Sequence, residues 1–253
     1  METVKVFLCG QGPAAESILR LHLTPATYSH VAVFTHPDAN WTDQLRAWRI
    51  HYTFEPVNRP GSWPFEPDLI ISIYYRTIIE QPIIDRMGGR IFNAHVSLLP
   101  RHRGRSPVPW AIIEGDKQTG VTYHYIDAGI DTGPVILQAV CQVTETETQT
   151  SLFKKLNGLV TAYFPAALSL VLAGFPGVAQ QGEASYHRQG CPYAGEIDSG
   201  WPVGKIQRFI RAMHYPPLKP ARFNGQDIYT WEDYKLALNE KHRATQSNNR
   251  QPV

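Results

Sequence analysis

Short apolar runs alternate with stretches of helical spacing through the first hundred residues, and few folds are open to such a chain. VKVFLCG (4–10), HVAVFTH (30–36), PDLIISIYY (67–75) and RIFNA (90–94) read as strands, the first as a buried one because it is apolar and ends in glycine. Between them PAAESILRLHL (13–23), WTDQLRAWRI (41–50) and TIIEQPIIDRM (77–87) carry apolar residues at helical intervals. Pro13 suits a first helical turn, and Pro82 interrupts the third helix. Strand–helix alternation of this kind predicts an α/β fold: a Rossmann-like, mostly parallel sheet with helices on both faces.

The pattern changes after residue 105. SPVPWAIIEGD (106–116) predicts a short helix, and GVTYHYID (120–127) and PVILQAVCQVT (134–144) predict alternating strands joined by AGIDTG. A long helix follows over 150–174, with a kink expected at Pro165. From about residue 175 glycine, proline and aromatic residues accumulate. PVGKIQRFIRAM (202–213) predicts a helix, and Asn224-Gly225 predicts a tight hairpin. The expected organisation is a main domain over 1–175, a small β-containing C-terminal appendage over 176–238, and a polar, disordered tail over 239–253.

Bulk numbers narrow the partners. Of 253 residues, 43% are hydrophobic, enough for a core, and only 18% are charged, which excludes wholesale disorder. With 24 basic and 22 acidic residues the net charge is +2, which does not fit a general nucleic-acid binder and suits a small or mixed-charge substrate. Cys9, Cys141 and Cys191 are far apart, odd in number and without metal-ligand spacing. They are expected to be buried free thiols in a reducing cytosol, and no metal is expected. The N-terminal METVKVFLCGQG lacks the apolar stretch of a signal peptide, and FPAALSLVLAG (164–174) is too short to span a bilayer, so a cytoplasmic protein without membrane partners is expected.

Ligands of open α/β sheets bind at the carboxyl ends of strands. Asn93 and His95 lie at such an end, Tyr74-Tyr75-Arg76 at another, and AGIDTGP supplies Asp127 and Asp131 between two later strands. An amide, an imidazole and a carboxylate suit acyl transfer to an amine. His95, with an ordinary pKa of about 6.5, can exchange a proton near neutrality. The Asn93 amide can stabilise an oxyanion, and Asp131 can orient the imidazole or take the proton. No serine or cysteine has the setting of an activated nucleophile, so transfer is expected to be direct. The plainer reading of N-x-H is a turn-capping asparagine beside a packed histidine.

The stretch FNAHVSLLPRHRGRSPVPWAIIEGDKQTGVTYHYIDAGIDTGPVILQ (92–138) resembles the formyltransferases that use 10-formyltetrahydrofolate. N-x-H, S-L-L-P and D-x-G-P are all present, and the resemblance runs from about residue 4 to 175. It implies Asn93, His95 and Asp131 as the catalytic residues and 10-formyltetrahydrofolate as donor. Tyr74, Tyr75, Arg76, Ile78 and Arg105 would lie at the folate site, with the loop Asp127, Ala128, Gly129 and Ile130 as another wall. The implied reaction is amine attack on the formyl carbon, collapsing to a formamide and tetrahydrofolate.

SLLPRHRGRSPVPWAIIEGD is most similar to members acting on nucleotide-linked amino sugars, of the dTDP- or UDP-4-amino type. Arg103, with Arg101 and His102, could meet a pyrophosphate, and Tyr215 and Lys219 could meet the nucleotide. The first three are also readable as solvated loop charges and the last two as part of a proline-stiffened loop packed on the core, and Trp110 and Trp201 read as structural. The resemblance also implies a homodimer. Glycinamide ribonucleotide formylation stays open, because Gly10-Gln11-Gly12 is either a phosphate loop or a tight turn. A methionyl-tRNA formyltransferase-like enzyme and an idle folate- or nucleotide-binding module stay open too.

Overall fold

The computed structural model describes residues 4–23, 28 and 30–248. The first half alternates as its periodicity predicts: β1 (Lys5–Gly10), α1 (Gly12–His22), β2 (His30–Phe34), α2 (Thr42–Ala47), β3 (His51–Thr53), β4 (Leu69–Ile73), α3 (Gln81–Met87) and β5 (Ile91–His95). β3 is three residues long and only partly buried, too short to show an apolar pattern. Pro82 starts α3 rather than interrupting a helix, since a missing N–H costs nothing in a first turn. The chain continues through β6 (Arg103–Gly104), α4 (Pro107–Glu114), β7 (Gln118–Tyr125), β8 (Val135–Gln142) and α5 (Gln149–Leu172), which is one helix with Pro165 inside it. Last come β9 (Tyr186–His187), α6 (Val203–Ala212), β10 (Ala221–Phe223), β11 (Gln226–Ile228) and α7 (Trp231–Asn248).

Among the described residues seven strands form one sheet in the order β3-β2-β1-β4-β5-β7-β8. The pairs from β3 to β5 are parallel, and β7 turns antiparallel against β5. Alternate residues face opposite sides of a strand, so each inner strand supplies two cores. Phe7, Cys9, Phe34, Ile70 and Ile91 meet Ile83 and Met87 of α3 on one face. Phe92, on the other face, meets Phe164 of α5 at 6.4 Å, and Phe164 meets His22 of α1 at 5.6 Å. The Rossmann-like sheet covered on both faces is therefore present.

By length and hydropathy α5 could cross a membrane, contrary to the expectation that nothing here is long enough. Its Leu152, Leu156, Val160, Phe164 and Ala167 are fully buried in the protein, one apolar stripe of a helix whose other faces are largely exposed.

The chain divides into two compact units. One holds Met1–Arg103, Gly120–Val140 and Leu156–Tyr186, and the other Gly104–Thr119, Cys141–Lys155 and His187–Val253. The division differs from a boundary at residue 175 because contacts remote in sequence draw segments 104–119 and 141–155 to the C-terminal chain. Arg208 Nε donates to the Ile113 carbonyl at the end of α4 (3.0 Å), and Arg211 Nη1 to that of Glu147 (2.7 Å).

In this second unit the hairpin turns at Asn224 and Gly225, whose φ of 51° and 81° suit the mirror-image turn favoured by Asn-Gly. Thr230 and Asp233 then cap α7 reciprocally, each side chain accepting from the other's N–H. The polar segment expected to be disordered from Asn239 continues this helix to Asn248, and residues 249–253 lie outside the described residues. The cysteines are free, but only Cys9 is buried: Cys141 is half-buried, and Cys191 is exposed ahead of the left-handed turn at Tyr193-Ala194.

Gly10 illustrates why β1 must end in glycine. A Cβ there would lie 2.2 Å from the Ile73 carbonyl oxygen of neighbouring β4. We expect Gly10→Ala to destabilise the protein by about 1–3 kcal/mol, the range of overpacking in a rigid core. Gly61→Ala, where a Cβ meets nothing within 4 Å, is the control. Urea midpoints of both variants test this, and an unchanged midpoint for Gly10→Ala would refute the packing requirement.

Candidate active site

The site grows from the reversal of direction at β7. The antiparallel register sets Asn93 opposite His124 and His95 opposite Thr122. Asn93 and His95, two apart on β5, share a face, and His124 joins them as the cross-strand neighbour of Asn93. Asn93 Nδ2 lies 3.1 Å from His124 Nε2, and His124 Nδ1 lies 2.8 Å from the Tyr125 carbonyl oxygen. A carbonyl only accepts, so His124 carries its hydrogen on Nδ1, and Nε2 accepts from the Asn93 amide. The amide is thereby oriented, with a second N–H left to donate.

Beyond β5 the chain turns sharply and is held by Thr122. Its hydroxyl donates to the Ser97 carbonyl (2.7 Å) and accepts from the Leu99 N–H (3.1 Å), while Ser97 Oγ donates to the Arg101 carbonyl (2.6 Å). The turn so fixed brings the His102 carbonyl oxygen to 2.8 Å from His95 Nε2. Nε2 therefore carries the hydrogen, and Nδ1 is the atom free to gain a proton. His95 Nδ1 lies 3.5 Å from Asp131 Oδ2, and Asp131 Oδ1 lies 3.5 Å from His124 Nε2. One open imidazole lone pair and a carboxylate thus converge beside the Asn93 amide.

His95 is 7% exposed, and burial holds its pKa below the ordinary 6.5. The Asp131 carboxylate and the His102 carbonyl oppose that shift, and the His124 and His102 rings reinforce it. The imidazole is therefore neutral near neutrality, ready to accept.

Asp131 sits on the loop after β7 with φ 54°, a left-handed conformation that costs a non-glycine residue roughly 1–2 kcal/mol. The loop is over-determined. Gln180 Nε2 donates to the carbonyls of both Asp131 and Gly133, each at 2.9 Å. Arg103 in turn donates from Nε (3.1 Å) and Nη2 (2.7 Å) to Gln180 Oε1. Asp127 Oδ1 accepts from Thr132 Oγ1 (2.6 Å) and the Gly129 N–H (3.2 Å). Gly133 is required because a Cβ there would lie 1.9 Å from the Tyr125 carbonyl oxygen.

The other expected residues are distributed as follows. Ile73 of β4 pairs with Ala94, so Tyr74, one residue further and at φ 57°, leaves the sheet level with His95. Tyr75 instead packs on the core under α3, its hydroxyl accepting from the Val57 N–H (3.1 Å), and burial pushes its pKa up to about 12. Arg76 pairs with Asp38 at 2.6 Å, and Ile78 is 69% exposed. Ala128, Gly129 and Ile130 form the exposed tip of the Asp131 loop. Arg103 is turned to Gln180, and His102 is buried, so neither is a solvated loop charge. Arg105, Tyr215 and Lys219 belong to the second unit. There Tyr215 meets the Phe153 ring edge-on at 5.7 Å, and Trp110 stacks on His187 at 4.3 Å.

Sequence reading missed His124 and Gln180. His124 left a faint signal, since its strand alternation puts it on the face of Thr122. Gln180, in an irregular segment, left none.

Comparisons with known proteins bear on this site. A family model described as formyl transferase matches residues 24–168. A Brucella melitensis protein named GDP-perosamine N-formyltransferase is 36% identical over 236 residues, covering 89% of this chain and 91% of the relative. A methionyl-tRNA formyltransferase of Hahella chejuensis is 30% identical over 247 residues, covering 90% of this chain and 77% of the relative. The crystal structure of a Helicobacter canadensis N-formyltransferase with folinic acid and dTDP-3-aminofucose shares the fold, with a TM-score of 0.74 and 20% identity over 89% of this chain and 86% of that one.

The depressed pKa of His95 has a thermodynamic consequence. As pH falls through 6.5 the unfolded chain protonates this histidine more readily than the native protein does, so the unfolded state binds more protons and stability falls as pH falls. His95→Asn removes that contribution. Urea unfolding at about pH 7.5 and about pH 5.5 should show a larger loss for wild type than for the variant. Equal losses would mean that His95 titrates at its ordinary value.

Proposed function

The chain belongs to the formyl transferase family, and from that membership we propose that it transfers a formyl group from 10-formyltetrahydrofolate to the amine of a nucleotide-linked amino sugar. The observation that carries this reading is a pair of proton acceptors, His95 Nδ1 and Asp131, beside the Asn93 amide donor that His124 Nε2 orients. An amine attacking a carbonyl must lose a proton while the carbonyl oxygen gains negative charge, and the cluster answers both needs.

The donor supplies an activated formyl group. Asp131 and His95 Nδ1 receive the proton the attacking amine loses and return it to the departing nitrogen. The free N–H of Asn93 donates to the developing oxyanion, a contact worth about 2.7–4 kcal/mol of barrier. His124 keeps the Asn93 amide nitrogen turned correctly, and the His102 carbonyl keeps His95 in the tautomer whose Nδ1 can accept. The residues present fit a flat pterin: backbone groups after β4 and the exposed apolar Ile78 and Ile130 offer hydrogen bonds and contact surface.

For the acceptor, the relative named for GDP-perosamine moves the first nucleotide to test from dTDP or UDP to GDP. A cytoplasmic homodimer belongs to the same proposal.

With 10-formyltetrahydrofolate and GDP-perosamine the protein should yield a formamide, read by mass spectrometry. Turnover on glycinamide ribonucleotide or methionyl-tRNA in its place would defeat the sugar assignment. His95→Ala should lower kcat by about 10²–10⁴-fold with nucleotide binding retained. A wild type that binds and never turns over would favour an idle module. Gln180→Met removes both donors to the Asp131 loop at similar volume. It should lower kcat roughly 10–100-fold while KM for the sugar changes little, because it misplaces the carboxylate without touching substrate. An unchanged kcat would show that the loop holds itself.

A further inference from the structure

The second unit contains a cavity of about 600 Å³ whose residues are separate from those of the Asn93–His95–Asp131 cluster. Its charged wall is Lys117, Arg208, Arg211 and Glu145, and its aromatic wall Tyr229 and Trp231. We propose that this cavity is a second binding site, for a phosphate or pyrophosphate ester bearing an aromatic ring.

Arg208 and Arg211 lie nearly one turn apart on α6, both half-buried. Each is anchored by one bond to a main-chain carbonyl, Arg208 Nε to Ile113 and Arg211 Nη1 to Glu147. Those anchors fix the guanidinium planes and leave most donors uncommitted. Among the described residues no further hydrogen bond or ion pair forms at either guanidinium or at the Lys117 ammonium. Gly115, at φ 76°, lets the Arg208 guanidinium lie against bare backbone, since a Cβ would come 3.1 Å from Nε.

The charges do not balance within the cavity. Three cations face it against one carboxylate, Glu145, while the nearby Glu147 is engaged by Lys155 and Ser151. Burial, and repulsion from Arg208, both disfavour the charged form of Arg211, and Glu145 and Glu147 only partly offset them. Two like charges held together in a part-buried wall are stabilised by an anion that both can grip. Paired guanidiniums with fixed planes match the geometry of phosphate oxygens, which a chloride or a lone carboxylate would leave unsatisfied. The half-buried Trp231 and exposed Tyr229 add ring surface for a planar group. The volume lies within the roughly 300–1,000 Å³ typical of small-molecule sites.

The test is calorimetric titration of the intact chain with sodium pyrophosphate and with ADP, independent of formyl transfer. Wild type should bind both, ADP more tightly, with affinity falling as salt rises. Lys117 is exposed and forms no side-chain bond, so Lys117→Glu should fold normally and weaken both ligands by about tenfold or more. Trp231→Leu should weaken ADP towards the affinity of pyrophosphate and leave pyrophosphate unchanged. No heat of binding at about 1 mM of either ligand, a Kd too weak to matter, would overturn the proposal. So would wild-type affinity in Lys117→Glu, which would put the anion elsewhere.

Discussion

Where β7 turns antiparallel against β5, the pairing of Asn93 with His124 and of His95 with Thr122 decides everything built above it. The parallel part of the sheet needs only apolar runs and crossover helices. The reversal adds two things a parallel neighbour would not. It sets His124 directly against Asn93, and it places the Thr122 hydroxyl where it can hold the turn after β5. From that turn comes the His102 carbonyl that decides which nitrogen of His95 can accept a proton.

The electrostatics follow from the same geometry. Burial favours a neutral His95, and a neutral imidazole with its hydrogen on Nε2 presents a lone pair to Asp131. A carboxylate and one open imidazole lone pair beside an amide donor make a good receiver of a proton. The left-handed backbone at Asp131 works against the loop's own preference, and Gln180 and Arg103 hold it there through two carbonyls and a bidentate contact. The bond to each imidazole is fixed by backbone oxygens, so the proton-accepting state does not depend on mobile side chains.

The second unit follows a different logic. Arginines tie its elements by capping carbonyls remote in sequence, as Arg208 does for α4 and Arg211 for the segment at Glu147. Those arginines keep donors beyond their structural bonds and surround a cavity that has more positive than negative charge. A packing role and a binding role can therefore reside in one side chain, because a guanidinium has five N–H groups and a cap uses one.

Local chemistry determined much from the sequence alone. Apolar runs and helical spacing specified β1, β2, β4, β5 and their helices, the Asn-Gly pair specified the hairpin at Asn224, and the family resemblance carried by N-x-H with D-x-G-P implied Asn93, His95 and Asp131. The elements and the turn are properties of a few adjacent residues, so periodicity and turn preference can report them. Tertiary structure alone decided that β5 and β7 pair antiparallel, that His124 and Gln180 complete the cluster, that Tyr75 packs on the core and His102 is buried, and that segments 104–119 and 141–155 join the C-terminal chain. Each of those depends on which distant groups meet, through hydrogen bonds such as Gln180 to Asp131, 49 residues apart. A linear pattern carries no record of such a meeting until the backbone has closed around it.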